Sequence, residues 1–128
     1  MSSMTDYLED KLRDHVLRNV AYTSPTTVYL ALFSTATTDA GGGTEATGGS
    51  YARQAVAFAA GGAGTGAADN SAEETFSNMP AGTWTHAALF DALTAGNMLL
   101  HAPLSSPKTT AVGDAIAFAA GDIDAIFA

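Results

Sequence analysis

Three histidines are the side chains in this sequence best suited to acid–base or metal chemistry, and their spacing argues against both. His15, His86 and His101 lie far apart, and none has a second histidine or a carboxylate at the spacing of a His-Glu-x-x-His zinc motif. His15 follows Asp14 on the polar side of a predicted helix, whereas His86 and His101 fall in apolar segments. We therefore expect His15 to be solvated and the other two to be hydrogen-bonded in the core or at an interface.

The sequence also lacks the motifs that would place a catalytic nucleophile or bind a nucleotide cofactor. The chain has no cysteine, which excludes a thiolate nucleophile, a disulfide scaffold and a cysteine-ligated metal. It has no Gly-x-Ser-x-Gly string, and the glycine-rich segment 61–66 lacks both the spacing of a dinucleotide-binding loop and the lysine of a P-loop. We predict that the protein is not an enzyme and uses no cofactor.

Two carboxylates, Asp122 and Asp124, alternate in a predicted strand and could face a hard cation together. Calcium takes about six to eight oxygen ligands, so one such pair is a weak signal, and we favour solvated acids and no metal site.

A sugar site built on Trp84 is the enzymatic alternative, because glycoside hydrolysis needs two convergent carboxylates. The sequence offers dispersed acids for that role: Glu45, Glu73, Glu74 and Asp91. An exposed Trp84 beside two acids would favour this alternative, and a buried Trp84 would count against it.

The composition indicates what kind of domain positions these residues. The 128-residue chain has a formal net charge of −8 with only 14% charged residues, and Ala, Thr and Gly fill 56 positions. Such a chain suits a single domain, here 1–128, with a surface of small residues. Its acidic body disfavours nucleic-acid binding, and its uncharged stretches are too short or too rich in Gly, Thr and Pro for a membrane span.

An amphipathic helix is predicted over residues 4–20, because Leu8, Leu12, Val16 and Val20 recur every four residues. Ser3 or Thr5 can cap its start, and the segment ending at Pro25 stops it.

The rest of the chain, 26–128, reads as a β body with flexible loops at 35–50 and 60–71. Its first strand, 26–34, has apolar residues on both faces, which is typical of a buried central strand. In the strand 83–90, alternation places Trp84, His86 and Phe90 on one face. Further strands are predicted at 51–59, 74–77, 98–104, 114–120 and 123–127, with a tight connection between the last two. The predicted fold is mainly β: a small antiparallel β-sandwich or barrel with one N-terminal amphipathic α-helix.

Apolar alternation on both strand faces and a helix with its own apolar stripe predict more apolar surface than one small core can cover. We therefore expect a subunit of an assembly. The candidate interface residues are Tyr7, Leu8, Leu12, Val16, Arg53, Trp84 and His86.

Several strings occur in an order that resembles a family of small tailed-bacteriophage virion proteins, commonly labelled phage tail fibre protein. They are Thr5–Val16, Ala21–Pro25, Tyr29–Leu32, Tyr51–Val56, Trp84, His86–Ala92, Gly96–Asn97, Gly113–Asp114 and Phe118–Gly121. The resemblance covers almost the whole chain and implies a structural role without catalytic residues. As the only base between Arg18 and Lys108, Arg53 is a candidate for a fixed ion pair, within the subunit or across an interface, and a solvated arginine is the alternative.

The resemblance leads to an expected function. We expect an oligomeric capsid decoration or cement protein on the particle exterior, trimeric by analogy with other shell proteins, made in the host bacterial cytoplasm. Its partners would be the major capsid protein or tail proteins. The alternative is a tail fibre or host-adhesion subunit whose loops, 35–50 or 60–71, touch the host surface.

Overall fold

The structure, a computed structural model, describes residue 1 and residues 3–127, so Ala128 of the predicted body lies outside it. Within these residues the chain forms one helix, α1 (Asp6–Leu17), and ten strands. The strands are β1 (Ser3–Met4), β2 (Val28–Phe33), β3 (Gln54–Val56), β4 (Phe58–Ala60), β5 (Ala67–Asn70), β6 (Glu74–Phe76), β7 (Gly82–Phe90), β8 (Met98–Thr110), β9 (Ile116–Phe118) and β10 (Asp124–Ile126). The predicted fold class, mainly β and antiparallel with one N-terminal helix, is confirmed.

The strands form three antiparallel sheets. The large sheet has the order β1-β8-β7-β2-β3, and the two small sheets are β10-β5-β4 and β6-β9. Residues of both small sheets, such as Phe76, Phe118 and Ala125, share one buried cluster with Leu30, Leu32 and Leu89 of the large sheet. The small sheets therefore cover one face of the large sheet, as in a sandwich.

Helix α1 begins and ends at residues whose local chemistry accounts for its bounds. The Thr5 hydroxyl accepts from Leu8 N at 3.3 Å and donates to the Met98 carbonyl at 2.6 Å, so this N-cap also ties the helix to β8. Residues before the cap belong to β1, which pairs with His101 and Leu100. Asn19 adopts φ +56°, a left-handed conformation that ends helices, so α1 is shorter than the predicted 4–20.

Strand β2 is buried on both faces, as its sequence predicted. Leu30 and Leu32 face the small sheets, whereas Ala31 and Phe33 belong to a second cluster on the opposite face. None of these four side chains is more than 3% exposed. Each face therefore needs its own cover.

The second face is covered by loops rather than by another sheet. Segment 35–46 folds back along β2, where Ser34 N donates to Thr44 O and Ala46 N donates to Leu32 O, both at 2.9 Å. At Gly43, φ is +114° and a Cβ would lie 2.9 Å from Phe33 Cδ1, so only glycine fits this approach. The mobility predicted for 35–50 stays a prediction, but this part of the loop is hydrogen-bonded to the sheet.

The strand at 98–104 was predicted too short, because β8 continues through Pro107 to Thr110. The β7–β8 pairing is interrupted by a wide irregularity, because Trp84 pairs with Lys108 but His86 pairs with Pro103. Residues 104–107 thus lie opposite Thr85 alone. On the outer edge of β8, β1 pairs with Leu100 and His101, and no other strand of the described residues pairs there with the part that contains the two prolines.

Two further predictions are wrong. Residues 67–70, assigned to the loop 60–71, form β5, because their backbone pairs with β4 on one edge and with β10 on the other. The last two strands do not pair with each other across Gly121: β9 pairs with β6, and β10 pairs with β5. Pairing partners distant in sequence replace the tight hairpin that local alternation indicated.

Replacing Thr5 by alanine is expected to destabilise the fold by about 1–2 kcal/mol, because the first turn of α1 and the Met98 carbonyl both lose a partner. Urea unfolding followed by far-UV circular dichroism measures the loss. Thr5→Ser keeps the hydroxyl and is the matched control, expected to retain most of the stability. Equal stability of the alanine and serine variants would contradict the role of this cap.

Candidate assembly surface

The apolar stripe of α1 starts in the core and continues beyond it. Leu8 is buried against the sheets, and Tyr7 and Leu12 are half-buried beside the same cluster. Val16 and Leu17, at the end of the helix, are 73% and 77% exposed. The four predicted interface residues on α1 therefore have different positions. Leu8 lies in the core, Tyr7 and Leu12 lie at its border, and Val16 lies on the surface.

An apolar cleft of about 460 Å³ lies between α1 and the small sheet β10-β5-β4. One wall is formed by Leu12 and His15 of the helix, and the opposite wall includes Phe58 and Phe127. Tyr22, Ser24, Pro25, Val28, Leu89, Leu99, Leu100, Leu8, Ala68 and Ala125 complete the lining. Phe58 and Phe127 could not be recognised as surface candidates from their sequence positions, since only the fold brings them next to α1.

The segment after α1 turns back onto the helix and closes one end of this cleft. Tyr22 N donates to His15 Nδ1 at 3.3 Å, so His15 is exposed, as predicted, but also holds this turn. Partial burial raises the pKa of the Tyr22 phenol, with nearby Tyr7 and Asp91 acting in the same direction. The cleft is thus bordered by aromatic residues and a neutral tyrosine.

Arg53 makes the predicted fixed ion pair, and it does so within the subunit. Its guanidinium lies 2.9 Å from Glu45 Oε2, and its Nη1 donates to the carbonyls of Ala92 and Ala95 at 2.9 and 2.7 Å. The same group stacks 3.6 Å from the ring centre of Phe90. With a side chain only 9% exposed, Arg53 joins the loops 35–46 and 91–97 over the second face of the sheet.

Trp84 and His86 do not share a face, contrary to the prediction. At the β7–β8 irregularity the strand turns, so Trp84 packs with Ala87 and Leu89 while Ala88 and Phe90 point to the opposite side. Trp84 is 5% exposed and its Nε1 donates to Thr110 Oγ1 at 2.9 Å, which counts against a sugar site. His86 is half-buried, with Nδ1 2.8 Å from Thr85 Oγ1.

His101 is buried and hydrogen-bonded on both ring nitrogens, as the sequence predicted. Nδ1 lies 2.8 Å from Thr37 Oγ1 and Nε2 lies 2.8 Å from Asp39 Oδ1. The Asp39 carbonyl in turn accepts from Asp6 N at the start of α1. His101 therefore fastens the loop 35–46 to both β8 and the helix, beside an open cleft of about 420 Å³ that Asp39, Asp6 and Asn97 help to line.

Of the acidic pair, only Asp124 lies in a strand, although Asp122 and Asp124 line the same open cleft. Asp122 precedes β10 and accepts from Ala119 N at 3.1 Å, whereas Asp124 lies in β10 opposite Asp69 of β5. A hydrogen bond shared with Asp124 raises the pKa of Asp69, and partial desolvation and repulsion add to the shift. Within residues 1 and 3–127, no three metal-ligating side chains converge.

A family model described as Podophage GP4 fiber I protein gp80 matches residues 3–126. The chain belongs to this family. The resemblance seen in the sequence is thereby confirmed, and the chain is a structural protein of a bacteriophage and a component of the virion. No curated protein matches the chain. In the part of the chain that the structure describes, no helix is long and apolar enough to cross a membrane.

Removing the Arg53 side chain is expected to destabilise the fold by about 2–4 kcal/mol, because Glu45 and two loop carbonyls lose a charged partner. Arg53→Lys keeps the charge without the planar fork, so its loss should be intermediate. Chemical unfolding of Arg53→Ala and Arg53→Lys measures both effects. An alanine variant as stable as the natural chain would refute the role of Arg53 as the link between the loops.

Replacing Asp69 by asparagine is expected to raise the unfolding midpoint at pH 7. Because the folded chain raises the pKa of Asp69, it binds the proton more tightly than the unfolded chain does, and this pair destabilises the fold as the pH rises through that pKa. The gain should vanish below about pH 3.9, where an ordinary aspartate is protonated. Glu73→Gln removes the same charge at an exposed site and serves as control; an equal gain there would show a net-charge effect instead.

Proposed function

We propose that the chain is a repeated, non-catalytic subunit of a fibre-type appendage on the virion exterior, and that it assembles through the end of α1 and the adjoining apolar cleft. The observation that carries the proposal is the uncovered apolar surface there. Val16, Leu17 and Val20 are 73%, 77% and 49% exposed beside a cleft with apolar walls. Apolar surface of this kind on a small protein marks an interaction site.

The side chains that could do chemistry support a non-catalytic role, because they are engaged in holding the fold. His101 fastens a loop, Arg53 joins two loops, and Trp84 fills the core. The description of the matching family as a fiber protein supports an appendage as the proposed position.

The loop end of the molecule is the surface that we propose faces away from the attachment point. Loops 35–46 and 91–97 meet there over Arg53, and α1 starts beside them at Thr5. With 12 helical residues, the exposed end of α1 lies about 18 Å away along the helix axis. The two ends can therefore serve attachment and outward contact separately.

Capsid decoration is the second candidate, and the compact β body with a protruding docking helix favours it. A shell protein gains strength from many weak contacts on a symmetric surface, which suits a small subunit with one apolar end. Oligomerisation, a trimer included, and contacts with the major capsid or tail proteins stay proposals under either position.

Imaging of intact particles distinguishes the two positions. Gold-labelled antibody to this chain is expected on appendages, and cryo-electron microscopy density there should accommodate the β body with α1 toward the particle. An antibody to the major capsid protein is the control for label over the shell. Label of this chain over the shell would replace the fibre proposal by decoration, and purified particles without the chain would overturn both.

A further inference from the structure

We infer that an open cleft between β8 and the segment 122–124 binds a small amphipathic zwitterion, a molecule that carries an apolar group, an anionic group and an ammonium group. This charged cleft has a volume of about 360 Å³ and shares no lining residue with the apolar cleft beside α1. The inference goes beyond the proposed function and does not depend on it.

Lys108 is the cation of the charged cleft. It pairs with the core residue Trp84 across β7 and β8, so its side chain points to the face of the large sheet that the small sheets cover. There it is half-buried, with its ammonium group 5.5 Å from the centre of the Phe118 ring. The arginines pair with carboxylates, but Lys108 has no hydrogen bond or ion pair among the described residues. A half-buried ammonium group without a counter-ion favours the binding of an anion.

Carboxylates line the charged cleft from another sheet. Asp124 lies in β10, and Asp122 precedes that strand. The amino group of Met1 also lies here and donates to the Asp124 carbonyl, so Asp124 already has a cation beside it. Asp122 Oδ2 accepts from Ala119 N at 3.1 Å, which holds the side chain, whereas Asp122 Oδ1 has no partner among the described residues. Asp122 is therefore the acceptor that we assign to the ammonium group of the ligand.

The floor of the charged cleft is apolar. Ala87 and Ala102 pair across β7 and β8, and their small side chains let the cleft reach Leu30, which is fully buried. Leu104, from the irregular part of β8, lines the cleft as well. An apolar group placed there is removed from water, which favours binding.

The charged cleft complements a ligand that has opposite charges on its two sides and an apolar group pointing inward. Lys108 and Asp122 form no ion pair with each other, so both remain available to such a ligand. A singly charged ligand would leave one of them without a partner, and an uncharged ligand would leave both. The volume is close to the lower bound of about 300 Å³ for small-molecule sites, so the ligand is expected to have the size of an amino acid or a lipid headgroup.

Isothermal titration calorimetry with a matched set of ligands tests the zwitterionic class. L-phenylalanine carries both charges, N-acetyl-L-phenylalanine has no ammonium group, and L-phenylalaninamide has no carboxylate. The zwitterion is expected to bind at least about tenfold more tightly than either analogue, because each analogue loses one charge-assisted contact. Equal, measurable binding of all three ligands would overturn the inference.

A short-chain lipid distinguishes the two sources of this chemistry. Dihexanoyl phosphatidylethanolamine, used as monomers in solution, carries the same two charges on a lipid headgroup. Tighter binding of this lipid than of L-phenylalanine would identify a headgroup as the source, and the reverse would identify a free amino acid. The absence of binding by both probes would overturn the inference.

Two variants test the assigned residues. Lys108→Met removes the ammonium group, and Asp122→Asn removes the charge but keeps an acceptor for Ala119 N. Each is expected to weaken binding of the tighter-binding probe at least about tenfold. Lys11→Met is the matched control, since Lys11 lies outside the cleft with its ammonium group 5.6 Å from the centre of the Tyr7 ring, and it should leave binding unchanged. A loss in the control equal to that of Lys108→Met would refute the assignment.

Heteronuclear NMR of the natural chain locates the ligand without any variant. Addition of the tighter-binding probe is expected to shift the amide signals of residues 102–108 and 119–124. Shifts confined to the apolar cleft beside α1 would overturn the inference, because they would show that only the apolar group is recognised.

Discussion

The structure depends on one constraint: both faces of β2 must be buried away from solvent. Its side chains alternate between two clusters, and residues 30–33 are at most 3% exposed. Two small sheets and α1 cover one face with large apolar residues. No sheet among the described residues covers the other face, so loops made mostly of small residues lie against Phe33 and Phe90. Polar bonds must hold these loops in place.

Arg53 and His101 supply those bonds, so a chain with few charged residues can still hold its loops against the sheet. Each side chain joins elements distant in sequence and is largely buried, with hydrogen bonds at Nε and Nη1 of Arg53 and at both ring nitrogens of His101. The described residues contain no buried side-chain nitrogen or oxygen atom without a partner. Two acids, Asp69 and Asp124, face each other across β5 and β10, where a hydrogen bond between them and their repulsion raise the pKa of Asp69.

Local periodicity was enough to predict α1, β2, β7 and the antiparallel β class, because Leu8, Leu12 and Val16 repeat at helical spacing and β2 alternates clearly. It failed where a long-range contact decides the outcome. The irregularity opposite Thr85 separates Trp84 from His86, and β9 and β10 pair with β6 and β5 in two different sheets instead of with each other. An ion pair of Arg53 was predicted, but its partner Glu45 was not. Phe58 and Phe127 could be recognised as surface residues only from the fold, which places them beside α1.

The prolines of β8 have a consequence for how copies of this chain can meet at high concentration. Along the outer edge of this strand, beyond the pairs that β1 makes with Leu100 and His101, Pro103 and Pro107 lack the N–H that a further strand would need. Sheets of neighbouring molecules cannot then extend one another into cross-β aggregates by this edge. Contacts between copies at this edge are then limited to side chains, which separate more readily than paired strands do.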